Sequence, residues 1–280
     1  MRIGAFEDVG SDCERLLILL GALTMALTMA LPAGAITNGE PTTDHPEVVL
    51  ILMEVGGEPA FRCSGTLIDS THVLTAGHYT SNFPGAPFTG MRIFTEADAD
   101  NGDNDYPYGT GTNTIEAERW AAHPDYETAP FFFNDVGMIE LKEAFLLPNY
   151  GVLPEVDPLD EYATKQGRNK LKFDSVGYGL QRINPVFVEA DRERYIAHPK
   201  LNAINAPRMT SDFSLLLSNN HSTGGTCFGD SGGANFIEDT YVVAGITSFG
   251  LNGNCAGTGG VFRTDRQNVQ DFIADFLAGP

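Results

Sequence analysis

Basic residues are scarce in this chain: 17 lysines and arginines stand against 37 aspartates and glutamates, giving a formal charge of −20 and a pI near 4.5. That balance excludes nucleic acid and anionic membrane surfaces as partners, because binding there depends on lysine and arginine displacing counterions. Long blocks of like charge, internal repeats and low-complexity linkers are also missing. With 42% hydrophobic residues over 280 positions the chain can bury a substantial core, so a disordered tail is excluded as well. Only one apolar stretch is long, Leu16 to Leu31, about 16 residues without a charge, short of the roughly 20 that span a bilayer core. It ends in Pro32 and the small residues Ala33, Gly34 and Ala35, which reads as a signal peptide over residues 1–35 cut after Ala35. The segment before the run carries Glu7, Asp8, Asp12 and Glu14 against two arginines, an acidic start for a signal, so the start codon is open to reassignment. Removing residues 1–35 leaves a charge of −18, and the exclusions stand.

What the chain has instead is 31 glycines and 16 prolines between short apolar or alternating runs. These runs are Val48 to Met53, Thr66 to Ile68, His72 to Thr75, Met91 to Phe94, Val136 to Leu141, Phe173 to Val176, Tyr241 to Ser248 and Gly260 to Arg263. Short strands separated by turn residues predict an all-β fold, a barrel or a sandwich. Only the end reads as a helix, where Val269, Phe272, Ile273, Phe276 and Leu277 recur at helical spacing and Thr264 with Gln267 offers a capping box.

Three segments carry chemistry. Gly229-Asp230-Ser231-Gly232-Gly233 sets a serine between glycines, which lets the backbone turn sharply and aim N–H groups at one point beside the hydroxyl. Taken alone, Gly-x-Ser-x-Gly also matches the nucleophile elbow of α/β-hydrolases, whose histidine follows the serine. All six histidines here, at 45, 72, 78, 123, 198 and 221, precede Ser231, and the elbow reading falls. His72-Val73-Leu74-Thr75-Ala76-Gly77-His78 reads as a strand with His78 at its end, where catalytic groups tend to sit. His72, at the strand's start, reads as a surface or packing residue. Asn134-Asp135-Val136 puts an acid just before an apolar strand, positioned to be buried against an imidazole.

Together these motifs resemble the chymotrypsin-like, trypsin-fold serine peptidases. The order His78, Asp135, Ser231 matches that family, as do Cys63-Ser64-Gly65-Thr66-Leu67-Ile68 and Ser248-Phe249-Gly250, and the likeness runs from Ile36 to the terminal helix. It implies one peptidase domain over residues 36–280, built of two six-stranded antiparallel barrels that meet near residues 150–170, with the site in the cleft between them and a C-terminal α-helix. It implies His78 as general base, Asp135 as its orienting acid, Ser231 as nucleophile, Ser248 as support for Asp135, and the N–H groups of Gly229 and Ser231 as the oxyanion hole. It further implies a Cys227–Cys255 disulfide, hence an oxidising compartment, and a specificity pocket at Gly225, Thr226, Gly250 and Gly260. A neutral, open pocket there predicts a large apolar residue on the acyl side of the cut. The family's activated amino terminus would be Ile36, its ammonium set beside Asp230, so that cleavage after Ala35 during export would itself produce the active enzyme.

The chain departs from the family pattern at several points. Tyr79 stands where a cysteine bonded to Cys63 is usual, so Cys63 is expected free, and Gly77, Gly137 and Ala234 replace alanine, alanine and proline. Glu96, Asp98, Asp100, Asp103 and Asp105 crowd a loop where relatives hold calcium, but the spacing lacks the glycine and terminal glutamate of an EF-hand. A solvated acidic loop is the preferred reading, with a structural calcium as the alternative, and no other cofactor is expected. Partners are then protein or peptide substrates, met by a secreted monomer without stable membrane association. A catalytically inactive homologue acting as a binding protein and a serine esterase on the same fold are the rival readings. A metal-dependent hydrolase is not, because no histidine pair shows ligand spacing.

Overall fold

The structure, a computed structural model, describes residues 36–81, 87–126, 133–163, 171–184, 187–205 and 211–279. The segment read as a signal peptide lies outside them. After a two-residue strand β1 (Glu40–Pro41) come β2 (Val48–Val55), β3 (Glu58–Leu67), β4 (His72–Thr75), β5 (Gly90–Phe94), β6 (Thr114–Ala122) and β7 (Gly137–Leu141). These six close into an antiparallel barrel in the order β2, β3, β4, β7, β6, β5. The second half holds β8 (Phe173–Gly177), β9 (Arg182–Asn184), β10 (Phe187–Glu189), β11 (Tyr195–Ala197), β12 (Leu201–Ile204), β13 (Ser214–Asn219), β14 (Ala234–Ile237), β15 (Val243–Gly250) and β16 (Gly257–Arg263). Here an eight-stranded sheet runs β1, β11, β8, β14, β15, β16, β13, β12, taking in β1 from the amino-terminal side, while β9 and β10 pair with each other. Among the described residues the fold is all-β but for one helix, α1 (Gln267–Leu277), and two short 3-10 turns, Gly77–Tyr79 and Pro158–Ala163.

Strand β2 explains why its apolar run is unbroken. Side chains alternate along a strand, and both faces of this one are covered. Val49, Ile51 and Met53 enter a barrel core with Cys63, Leu67, Val73, Ile93 and Ile139. Val48, Leu50 and Leu52 face outward into a second core shared with Val176, Ala234, Phe236, Val243, Ile246 and Phe262 of the eight-stranded sheet. Burying a single such side chain stabilises by about 1.5–3 kcal/mol, so this shared core binds the two halves across the line where the site forms.

Helix α1 buries Val269, Ile273 and Phe276 and leaves Leu277 outward. Its N-cap is Arg266, without a side-chain cap bond, and Thr264 bonds the Val243 carbonyl instead, so the expected Thr264–Gln267 capping box is not formed. Arg263, at the end of β16, is fully buried and grips Asp265 at 2.7 and 2.8 Å and Asp160 at 2.7 Å. That cluster ties the Pro158–Ala163 turn, on the connection between β7 and β8, to the sheet.

Candidate active site

The site begins with strand pairing. In the β4–β7 ladder Thr75 lies opposite Gly137. His78, three residues beyond Thr75, and Asp135, two before Gly137, therefore emerge at the same end of neighbouring strands. The Asp135 carboxylate is 0% exposed. Its Oδ1 accepts the His78 backbone N–H at 2.8 Å, and both oxygens lie 2.9 Å from His78 Nδ1. A carboxylate can only accept, so Nδ1 carries the proton and Nε2 is left with its lone pair. Ser248, on β15, donates to Asp135 Oδ2 at 2.5 Å.

Ser231 reaches this end through its glycine neighbour. Gly232 has φ of +82°, and a Cβ there would lie 2.1 Å from Thr75 Oγ1 and 2.4 Å from the Ser64 carbonyl. Only glycine allows the chain to pass this close to the end of β4 in that conformation. Ser231 O accepts the Ser64 N–H at 2.9 Å, and Gly232 N–H bonds Thr247 O at 2.8 Å. His78 and Ser231 consequently line one cleft of about 190 Å³.

The loop before the serine is pinned to the end of β8. Leu180 N–H donates to Phe228 O at 2.8 Å, which orients the Phe228–Gly229 peptide and leaves the Gly229 N–H on its opposite side. Gly229 itself holds φ of +95°. Among the described residues neither the Gly229 nor the Ser231 N–H has an acceptor, the condition for an oxyanion site. Asp230 is wholly buried, with Oδ1 accepting Gly179 N–H at 2.7 Å and Oδ2 accepting Cys227 N–H at 2.8 Å. Burial pushes its carboxyl up to about 7, while the two N–H bonds and the Arg62 charge pull it down.

Cys227 and Cys255 are bonded, with Cα atoms 5.2 Å apart. Cys63 is free and buried among Met53 and Thr75, and burial pushes its thiol up to about 12. Of the four residues assigned to the specificity pocket, Thr226 and Gly250 line the cleft, together with Phe228, Phe249, Thr258, Gly259 and the disulfide. Gly225 backs onto Asn219 and pairs with Thr37, and Gly260 lies under the ring of Phe249, whose atoms would be 2.3–2.4 Å from a Cβ there. Ile36 is fully buried beside Tyr195 and Ala197. The acidic loop spends its carboxylates locally: Glu96 on Asp103 N–H and Asn104, Asp98 on Asn101, Asp100 on Arg192 N–H, Asp103 on Thr112 and Asp105 on Thr110. Among the described residues no three acidic, histidine or cysteine side chains converge as a metal site.

The sequence model of the family described as Trypsin matches residues 36–273. The chain belongs to the trypsin family. Relatives of this trypsin-family chain include chymotrypsin of Phaedon cochleariae, 25% identical over 82% of this chain and 78% of that protein. Another is the venom serine protease of Polistes dominula, 23% identical over 77% of this chain and 76% of that one. The Drosophila melanogaster serine protease Hayan is 24% identical over 87% of this chain, which spans 40% of Hayan's length. Among solved structures, HL collagenase superposes with a TM-score of 0.67 at 17% identity, covering 88% of this chain and 100% of that one. Human heparin binding protein gives 0.63 at 18% identity over 88% and 98%. At these identities the structural likeness is one of fold.

Arg62, Ser64 and Leu180 are the site's contributors that sequence reasoning missed as such. Ser64 and Leu180 act through the backbone of Phe228 and Gly229, which leaves no mark in the sequence. Arg62 is a cation inside a strand next to the Cys63-Ser64-Gly65 motif, and that oddity was its one signal.

Proposed function

We propose that this trypsin-family protein is a secreted serine endopeptidase working through His78, Asp135 and Ser231. The observation that carries the reading is the pairing of His78 Nδ1 with a buried carboxylate in a cleft that Ser231 also lines. Ser231 Oγ attacks the substrate carbonyl carbon as His78 Nε2 takes the hydroxyl proton, and the carbonyl π pair moves onto oxygen. The Gly229 and Ser231 N–H groups stabilise that oxyanion, a role in which one donor is typically worth about 3 kcal/mol. The C–N bond then breaks, the amine leaves with the proton from His78, and an acyl ester remains on Ser231. Water, deprotonated by His78, adds to the ester carbon; the carbonyl re-forms, the C–O bond to Ser231 breaks to release the acid, and His78 returns the proton to Ser231 Oγ. Every step uses a group of this chain.

Among the described residues no aspartate, glutamate, lysine or arginine lines the cleft, which favours an apolar residue such as Phe, Tyr, Leu or Met on the acyl side of the cut. An arginine there would be buried without a partner at a cost of several kcal/mol. A panel of chromogenic peptides tests this: cleavage after Phe or Leu is the expected result, and faster cleavage after Arg or Lys overturns the preference. The binding-protein reading gains nothing from the likeness to a heparin binding protein, since a formal charge of −20 repels a polyanion. Export is proposed to cut after Ala35 and free the Ile36 amine to add charge near Asp230. N-terminal sequencing of the secreted protein checks it, and a start other than Ile36 refutes it.

A further inference from the structure

Arg62 and Ser64 are alternate residues of β3, so both side chains leave the same face of the strand. Both grip Tyr178, just beyond β8. Ser64 Oγ accepts the Tyr178 N–H at 2.9 Å and donates to Gly229 O at 3.1 Å. Arg62 Nη1 donates to the Tyr178 carbonyl at 2.7 Å. That carbonyl shares one peptide group with the Gly179 N–H, which donates to Asp230 Oδ1 at 2.7 Å. The guanidinium, the peptide and the carboxylate thus form a head-to-tail chain in which each hydrogen bond polarises the next. The guanidinium also borders the oxyanion loop itself, with Nη1 3.4 Å from where a Gly229 Cβ would be.

We propose that Arg62 is a positioning residue for the serine chemistry: through the Tyr178–Gly179 peptide it holds the buried Asp230 carboxylate ionised, and so keeps the Gly229 and Ser231 N–H groups in place. This role rests on the peptidase reading. Among the described residues Arg62 is the cation that acts on Asp230, and Arg62 is itself faced by Arg192, Tyr106 and Tyr79. Arg192 turns its Nε to the Tyr106 hydroxyl at 3.2 Å and is engaged there. A free Ile36 amine would add to the Arg62 charge and would not replace the peptide chain. Loss of Arg62 leaves Asp230 with burial less opposed, so its proton is held to higher pH. A neutral carboxyl accepts the Gly179 and Cys227 N–H groups more weakly, and the loop bearing the oxyanion donors loosens.

The test reads Asp230 directly. In the full chain carrying Ser231→Ala and carboxyl-¹³C aspartate, the Asp230 resonance is the one lost in Asp230→Asn, and its titration midpoint is followed with Arg, Gln or Lys at position 62. Arg62→Gln is expected to raise the midpoint by about one pH unit, and Arg62→Lys, which keeps the charge, by about half as much. In the enzymes that retain Ser231, kcat at pH 7 is expected to fall about fivefold in Arg62→Gln, with KM within about twofold. A midpoint that stays put in Arg62→Gln overturns the proposal. If that variant does not fold, an unmoved midpoint in Arg62→Lys does the same. A shifted midpoint with no peptidase activity in otherwise unaltered protein that begins at Ile36 keeps the Arg62–Asp230 coupling and rejects the peptidase reading.

Discussion

Ser248→Ala removes one of the donors on which the buried Asp135 carboxylate rests. Asp135 accepts the His78 backbone N–H, the His78 ring N–H and the Ser248 hydroxyl, the last at 2.5 Å, and solvent does not reach it. A hydrogen bond to a charged acceptor contributes about 1.5–3 kcal/mol, and the space left by one oxygen in a packed wall offers the carboxylate no equivalent partner. Stability is therefore expected to fall by about 2 kcal/mol. Asp135 Oδ2, the oxygen that Ser248 holds, also sits 2.9 Å from His78 Nδ1, so its loosening lets the imidazole swing. Because that interaction matters most when His78 is protonated during attack, kcat should fall about 10- to 100-fold with KM nearly constant. Urea unfolding followed by fluorescence and steady-state kinetics on a peptide anilide measure the two effects. A Ser248→Ala protein with unchanged unfolding midpoint and unchanged kcat would refute the reasoning.

Gly137→Ala would put a methyl 2.0 Å from Thr80 Oγ1, and such overpacking is expected to cost about 1–3 kcal/mol. In a Thr80→Ala background the penalty should shrink by about 1 kcal/mol, and an equal penalty in both backgrounds, read by urea unfolding, argues against the contact. Cys63 is buried with its thiol pushed up to about 12, so protein beginning at Ile36 should show no thiol reactive to a disulfide reagent at pH 8 until denatured, when one appears. A native protein that reacts at once contradicts the buried position. Burial pushes the Asp230 carboxyl up to about 7 from its ordinary 3.8. Between those values an unfolded chain releases a proton that the folded one keeps, so stability of the full chain should decline by about 1.4 kcal/mol per pH unit from pH 4 to 7 and level off above. Urea midpoints across that range measure it, and a slope unchanged by Asp230→Asn rejects the assignment.

The sequence showed most where physics leaves a pattern in neighbouring residues. The run Val48 to Met53 announced a strand, and the spacing of Val269, Ile273 and Phe276 announced the helix. Strand β6 was missed because Glu116, Glu118 and Arg119 interrupt it and only Ala117 is buried, which leaves no apolar run to read. Strands β11 and β12 were missed because they run only three and four residues, and β13 because its apolar stretch is completed by pairing with β16, far along the chain. The site divides in the same way. His78, Asp135 and Ser231 stand in recognisable local surroundings, whereas the Arg62 chain to Asp230 joins positions 168 residues apart through a backbone peptide. Gly260 looked like an open pocket wall until Phe249 was found lying on it, a contact set by the bulge between β15 and β16.

Covalent labelling tests the central claim most directly. The folded protein is treated with a serine-directed organofluorophosphate at neutral pH and the adduct is mapped by mass spectrometry. An activated Ser231 predicts a single adduct on that residue, abolished when His78 is replaced by alanine or when the protein is first unfolded. A chain that stays unlabelled, or that is labelled at another serine, would contradict the account.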